Sequence, residues 1–252
     1  METETDRVAP MKRLALLLCL AAPAAHAEMT DAERQSFRDE VRAYLLDNPE
    51  VLMEAMSVLD QRQAQAEAET DKGLVKDNLA AISDDGASWV GGDPNGDVTL
   101  VEFMDYKCGY CRHAFNEVED LVRSDGHIRF VLKEFPILGP QSELASRFAV
   151  AVRQTQDADT YKAVHDALMT METDVTPESL TKLAGALGLD PAPILARMDS
   201  AEVTQAIQDG HDLAGKLQIT GTPTFVLGGE MVRGYVPLDQ MRQMVADERG
   251  AG

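Results

Sequence analysis

Val98-Thr99-Leu100-Val101-Glu102-Phe103-Met104-Asp105-Tyr106-Lys107-Cys108-Gly109-Tyr110-Cys111 decides how the rest of the chain is read. The first seven residues are apolar on both faces except at Glu102, the pattern of a strand buried on both sides. Ala114, Val118, Leu121 and Val122 then follow helical spacing, and Ser124-Asp125-Gly126 ends the run. Cys108 and Cys111 therefore stand at a strand-to-helix junction. A thiolate there faces unpaired backbone N–H groups and the positive end of the helix dipole, which lower its pKa. Cys108 is expected to be the exposed nucleophile. Cys111, one turn in, is placed to resolve a mixed disulfide or to close a ring with Cys108. Period two puts Glu102 on the side of Val98, Leu100 and Met104, beneath the dithiol. A buried carboxyl has a raised pKa, so Glu102 is expected to take the proton from Cys111 when that thiol attacks.

A bare Cys-x-x-Cys also reads as half a zinc site or as a structural disulfide. Zinc requires about four ligands. The chain has no second cysteine pair, and its five histidines show no ligand spacing. No metal is therefore expected, and no cofactor, since two sulfurs suffice for dithiol chemistry. A second stretch sharpens the redox reading: Ile219-Thr220-Gly221-Thr222-Pro223-Thr224-Phe225-Val226-Leu227.

Strand, Cys-Gly-Tyr-Cys, helix and a distant Gly-Thr-Pro-Thr-Phe-Val together resemble the thioredoxin superfamily, and more closely its DsbA-like periplasmic thiol–disulfide oxidoreductases. The resemblance spans roughly residues 88–248. It implies a thioredoxin-like α/β fold with an inserted helical subdomain and a cis Thr222-Pro223 bond beside the dithiol. It further implies that Thr222 and Pro223 line a substrate groove, with Gly109 and Tyr110 facing the client. Glu102 matches the buried acid of the family. The strongly oxidising members carry a His between the cysteines. This chain has Gly109-Tyr110 there, which is similar to the family's isomerases.

The N-terminus is read as an export signal. Met11-Lys12-Arg13 precede the apolar run Leu14–Ala22, and Ala25-His26-Ala27 supplies a cleavage site. Residues 1–27 are assigned to this signal, with Met11 as an alternative start, and the mature protein to the periplasm. Cys19 falls within the discarded segment. Cleavage removes three basic and three acidic residues, so the net charge stays at −20. That charge opposes binding to nucleic acid or to anionic membrane surfaces.

Residues 28–82 read as an N-terminal helical region. Phe37, Val41, Tyr44 and Leu45 form one stripe, and Asn48-Pro49-Glu50 starts a second helix with Val51, Leu52, Ala55, Met56 and Leu59 on one face. Such thin amphipathic helices gain their stability from packing. They are expected to pair with copies of themselves or to fold onto the catalytic domain. Phe37…Val41…Tyr44-Leu45-Leu46…Asn48-Pro49-Glu50-Val51-Leu52 resembles the N-terminal region of the ScsC proteins, suppressors of copper sensitivity. That resemblance implies a homo-oligomer, with a trimer favoured, and a membrane reductase of the ScsB or DsbD type that keeps the dithiol reduced. Met53 and Met56 are read as packing residues.

The catalytic domain is assigned to 83–252. Its helical insertion is placed at about 141–200, and a hairpin turns at Gly228-Gly229. The resulting expectation is an exported disulfide isomerase or reductase acting on misoxidised protein clients. A DsbA-like dithiol oxidase is the alternative within the class. A Cu(I)-binding protein of copper tolerance is the alternative outside it, since two soft thiolates suit that ion.

Overall fold

The computed structural model describes residues 29–251. The assigned signal segment, with Cys19, lies outside the described residues. The chain divides into two compact units, at Val58/Leu59.

In the first unit, helix α1 spans Asp31–Asp47. Thr30 caps it in a reciprocal box, its hydroxyl accepting from the Glu33 N–H while the Glu33 carboxylate accepts from the Thr30 N–H. α1 buries no side chain, and Phe37, Val41 and Tyr44 are exposed. Helix α2, Glu50–Ser83, starts in this unit, where Leu52, Met53 and Met56 are also exposed.

The second unit is built on a five-stranded sheet: β1 (Trp89–Gly92), β2 (Val98–Met104), β3 (Ile128–Glu134), β4 (Thr224–Leu227) and β5 (Glu230–Arg233), in the order β1-β3-β2-β4-β5. β2 and β3 run parallel, joined through helix α3 (Gly109–Asp125), and the other pairs are antiparallel. β2 and β3 lie inside the sheet and are buried almost throughout, which explains their unbroken apolar runs. Gly126 ends α3 with φ +78°, a left-handed position that glycine takes without steric cost.

Alternation along β2 splits the core between the two faces of the sheet. Val98, Leu100 and Met104 join Ala114, Val118 and Leu121 of α3. Val101 and Phe103 join Val131, Phe135, Leu213 and Leu217 on the other face. Helices α4 (Pro140–Thr155), α5 (Ala158–Met169), α6 (Pro177–Ala186) and α7 (Pro191–Met198) form the insertion between β3 and α8 (Ala201–Lys216). They extend the first core through Phe148, Tyr161, Val164 and Leu180. α9 (Leu238–Ala251) adds Met241 and Val245 to the same cluster.

The unit boundary falls earlier than the 82/83 division drawn from sequence. The end of α2 belongs to the second unit. Val75 and Ile82 are each 1% exposed and sit in the second core beside Val101, Phe103 and Leu217. Arg233 of β5 donates to the Asp71 carboxylate, with Nη2 to Oδ1 at 2.9 Å. Lys133 of β3, almost fully buried, donates to the Ala81 carbonyl at 2.8 Å and to Asp85 Oδ2 at 2.6 Å.

Candidate active site

Cys108 is the N-cap of α3: its backbone is extended and its sulfur accepts from the Cys111 N–H at 3.4 Å. The cap thus turns a backbone orphan donor toward the sulfur. The hydrogen bond from the Cys111 thiol is the largest influence, and burial opposes it. Hydrogen bonding from Thr222 and from the Cys111 and Tyr110 N–H groups adds to the first, and the Cys108 pKa falls to about 5. Cys111 is fully buried, and its pKa is pushed far up by that same thiol hydrogen bond, by burial and by the charge of Glu102. At neutral pH Cys108 is a thiolate and Cys111 a thiol. Neither is in a disulfide.

The segment Gly221–Pro223 completes the site from the other side. Thr222-Pro223 is cis, Pro223 is buried, and in the protonated state the Cys108 Sγ–H donates to the Thr222 carbonyl at 3.1 Å. Among the described residues the buried Thr222 hydroxyl has no partner in that state, and ionisation of Cys108 gives it an acceptor. Gly109 and Tyr110 stand outward, Tyr110 with 67% of its surface exposed.

Glu102 lies 4% exposed on β2, between Leu132 of β3 and Phe225 of β4 in the sheet register. One of its oxygens, Oε1, is buried without a partner among the described residues. Burial, followed by the charges of Glu119 and Cys108, raises its pKa to about 8. A carboxyl in that range exchanges protons near neutrality and acts on Cys111 through its charge.

Three further residues organise the loop that carries Cys108, and sequence reading passed over them. Asp105 is fully buried. Its Oδ1 accepts from the Lys107 N–H at 2.7 Å, and its Oδ2 from the Ile137 and Leu138 N–H groups at 2.8 and 3.0 Å. Arg112 donates to the Tyr106 and Met171 carbonyls, both at 2.7 Å, and so ties the loop to the end of α5. Glu134 accepts from the Tyr106, Tyr161 and Ser146 hydroxyls at 2.7–2.8 Å. Burial raises the Glu134 pKa to about 7 despite those three donors. Asp105 carried one usable signal, an Asp two residues before a turn N–H immediately after a strand. Glu134 carried another, an acid closing an apolar run.

His165 is buried against Tyr106 and Phe115, and burial lowers its pKa to about 3. His113 is exposed with its ring 4.6 Å from that of Tyr235.

Residues 99–246 match the DSBA-like thioredoxin domain, and residues 33–66 match the copper resistance protein ScsC N-terminal domain. The chain belongs to the DsbA-like thioredoxin family. Its fold is that of the ScsC-like members. A thioredoxin-like oxidoreductase from Silicibacter pomeroyi is 40% identical, with TM-score 0.65, over 69% of this chain and 99% of that one. BcfH of Salmonella enterica Typhimurium is 27% identical with TM-score 0.73, over 87% and 97% of the two chains. Disulfide bond formation protein D of Bacillus subtilis is 25% identical over 62% of this chain and 75% of its own. The match to Na(+)/H(+) antiporter NhaA 3 of Salinispora tropica, 26% identical over 73% of this chain, spans only 28% of the antiporter. Among the described residues no helix is long and apolar enough to cross a membrane.

Proposed function

We propose that the protein is a periplasmic thiol–disulfide oxidoreductase that reduces or isomerises wrong disulfides in protein clients. The observation that carries this reading is the division of labour within the dithiol: a Cys108 thiolate at a helix start, a protonated Cys111 one turn in, and the Thr222-Pro223 backbone alongside. The Cys108 thiolate attacks one sulfur of a client disulfide. A Cys108–client disulfide forms, and the other client sulfur leaves as a thiolate that takes up a proton. In isomerisation that client sulfur attacks another client disulfide, and a client thiolate finally displaces Cys108, restoring the dithiol. In reduction Cys111 attacks Cys108 Sγ after giving its proton to Glu102. The client leaves reduced by two electrons, and the chain holds a Cys108–Cys111 disulfide. A membrane reductase of the ScsB or DsbD type then returns the electron pair.

The exposed apolar stripes of α1 and early α2 support a homo-oligomer, for which we favour a trimer. Several dithiols on one assembly raise the effective concentration at a misfolded client. The dithiol oxidase reading is favoured by the depressed Cys108 pKa, because a stabilised thiolate makes the disulfide form more oxidising. A value near 5 lies between the roughly 7 of a reducing thioredoxin and the roughly 3.5 of a strong oxidase.

Reactivation of a scrambled-disulfide protein in a glutathione buffer tests the proposal. The isomerase reading expects reactivation that Cys108→Ser abolishes and that removal of residues 28–58 weakens. Oxidation of a reduced client without any reactivation of a scrambled one selects the oxidase.

A further inference from the structure

A cavity of about 700 Å³ opens in the catalytic unit, lined by β1, β3, α4, α5, α7, α8 and the turn after α2. None of its lining residues belongs to the dithiol loop or to the Thr222-Pro223 segment. Its size is that of a small-molecule site.

Its chemistry is uneven in a way that points to an occupant. Lys133 in its wall is satisfied by Ala81 and Asp85, and Glu134 by three hydroxyls. Arg153 of α4 is not. Its Nε is buried, and among the described residues its guanidinium has neither a hydrogen bond nor an ion pair. A buried donor without a partner is destabilising, so an acceptor reaching Arg153 Nε would be held. The remaining acids of the cavity, Asp209 and Asp212, are exposed and accept from Gln205 and Gln208 of their own helix. The same cavity has an apolar lining, with Trp89, Leu132, Val150 and Leu213 all buried. A guanidinium fork and an apolar lining in one cavity match a carboxylate carried on a compact apolar body.

We propose that this cavity is a binding site for a small organic carboxylate, its anionic group held by Arg153 and its apolar body by the Trp89–Val150–Leu213 wall. Phosphate alone lacks the apolar part, and a neutral ring alone leaves Arg153 unmet.

Trp89 is the only tryptophan of the chain, so the site carries its own reporter. Trp89 fluorescence is titrated with benzoate, benzyl alcohol and inorganic phosphate. Benzoate is expected to give a saturable change, with the other two at least tenfold weaker. Arg153→Gln is expected to weaken benzoate at least tenfold while leaving the dithiol exchange rate unchanged. Arg153→Lys keeps the charge but loses the fork, and is expected to weaken it several-fold with the fold intact. Lys216→Gln at the mouth is expected to change nothing. No saturable response to benzoate, equal affinity for all three probes, or undiminished benzoate affinity in Arg153→Lys overturns the proposal.

Discussion

At the scale of single residues, reactivity rests on which sulfur holds the proton. Absorbance at 240 nm of the reduced protein is expected to rise with a midpoint near pH 5, the value set at Cys108 by Cys111, Thr222 and the helix N-terminus. Thr222→Val removes one donor to the thiolate and is expected to raise that midpoint by about one unit. The thiolate also links stability to pH. The folded Cys108 pKa lies below the roughly 8.5 of an unfolded thiol, so between about pH 5 and 8.5 the unfolded state binds the extra proton. Cys108 therefore contributes stability that grows as pH rises through that window and is lost as pH falls toward 5. The difference in urea midpoint between the reduced protein and Cys108→Ser checks this, and it is expected to be larger at pH 8 than at pH 5. Glu102 has the opposite sign. Its folded pKa is raised to about 8, so stability is greatest below the ordinary carboxyl range and declines as pH climbs toward 8. Glu102→Gln should flatten that decline and slow release of a Cys108-linked client by about tenfold or more in a stopped-flow assay.

At the scale of elements, the sheet and α3 were legible because periodicity, a glycine stop and a cysteine cap all agree over Val98–Gly126. The hairpin at Gly228-Gly229 was legible for a similar reason. The end of α2 was not. Leu74, Val75, Leu79 and Ile82 mark an amphipathic stripe, but a stripe does not say what covers it. The sequence reading gave it to a separate N-terminal region, whereas Val75 and Ile82 pack beneath β2 and β3. Asp105, Arg112 and Glu134 were missed because each also has a partner far off in sequence, such as Ile137, Met171 and Tyr106 at 32, 59 and 28 positions, which no local pattern reveals. Lys133 is the polar tie between β3 and the end of α2. Lys133→Met is expected to cost about 1–3 kcal/mol by stranding the Ala81 carbonyl and removing the cation beside Asp85, a loss readable as a lower urea midpoint with unchanged m.

For the whole molecule, the division at Val58/Leu59 predicts how the chain tolerates truncation. A form beginning at Leu59 should fold cooperatively and keep the dithiol. A form beginning at Ser83 lacks Asp71, Val75 and Ile82 and should lose cooperative unfolding by near-UV circular dichroism. The first truncation also removes the exposed stripe of α1 and early α2, so the proposed oligomer should become a monomer by sedimentation. The central claim, that Cys108 attacks and Cys111 resolves, is tested most directly by trapping. Cys111→Ser and Cys108→Ser are each incubated with a disulfide-bonded client peptide, and the adducts are followed by mass spectrometry. The account predicts rapid accumulation of a Cys108–client adduct in Cys111→Ser and none on that timescale in Cys108→Ser. An adduct on Cys111 in Cys108→Ser, formed at a comparable rate, would contradict it.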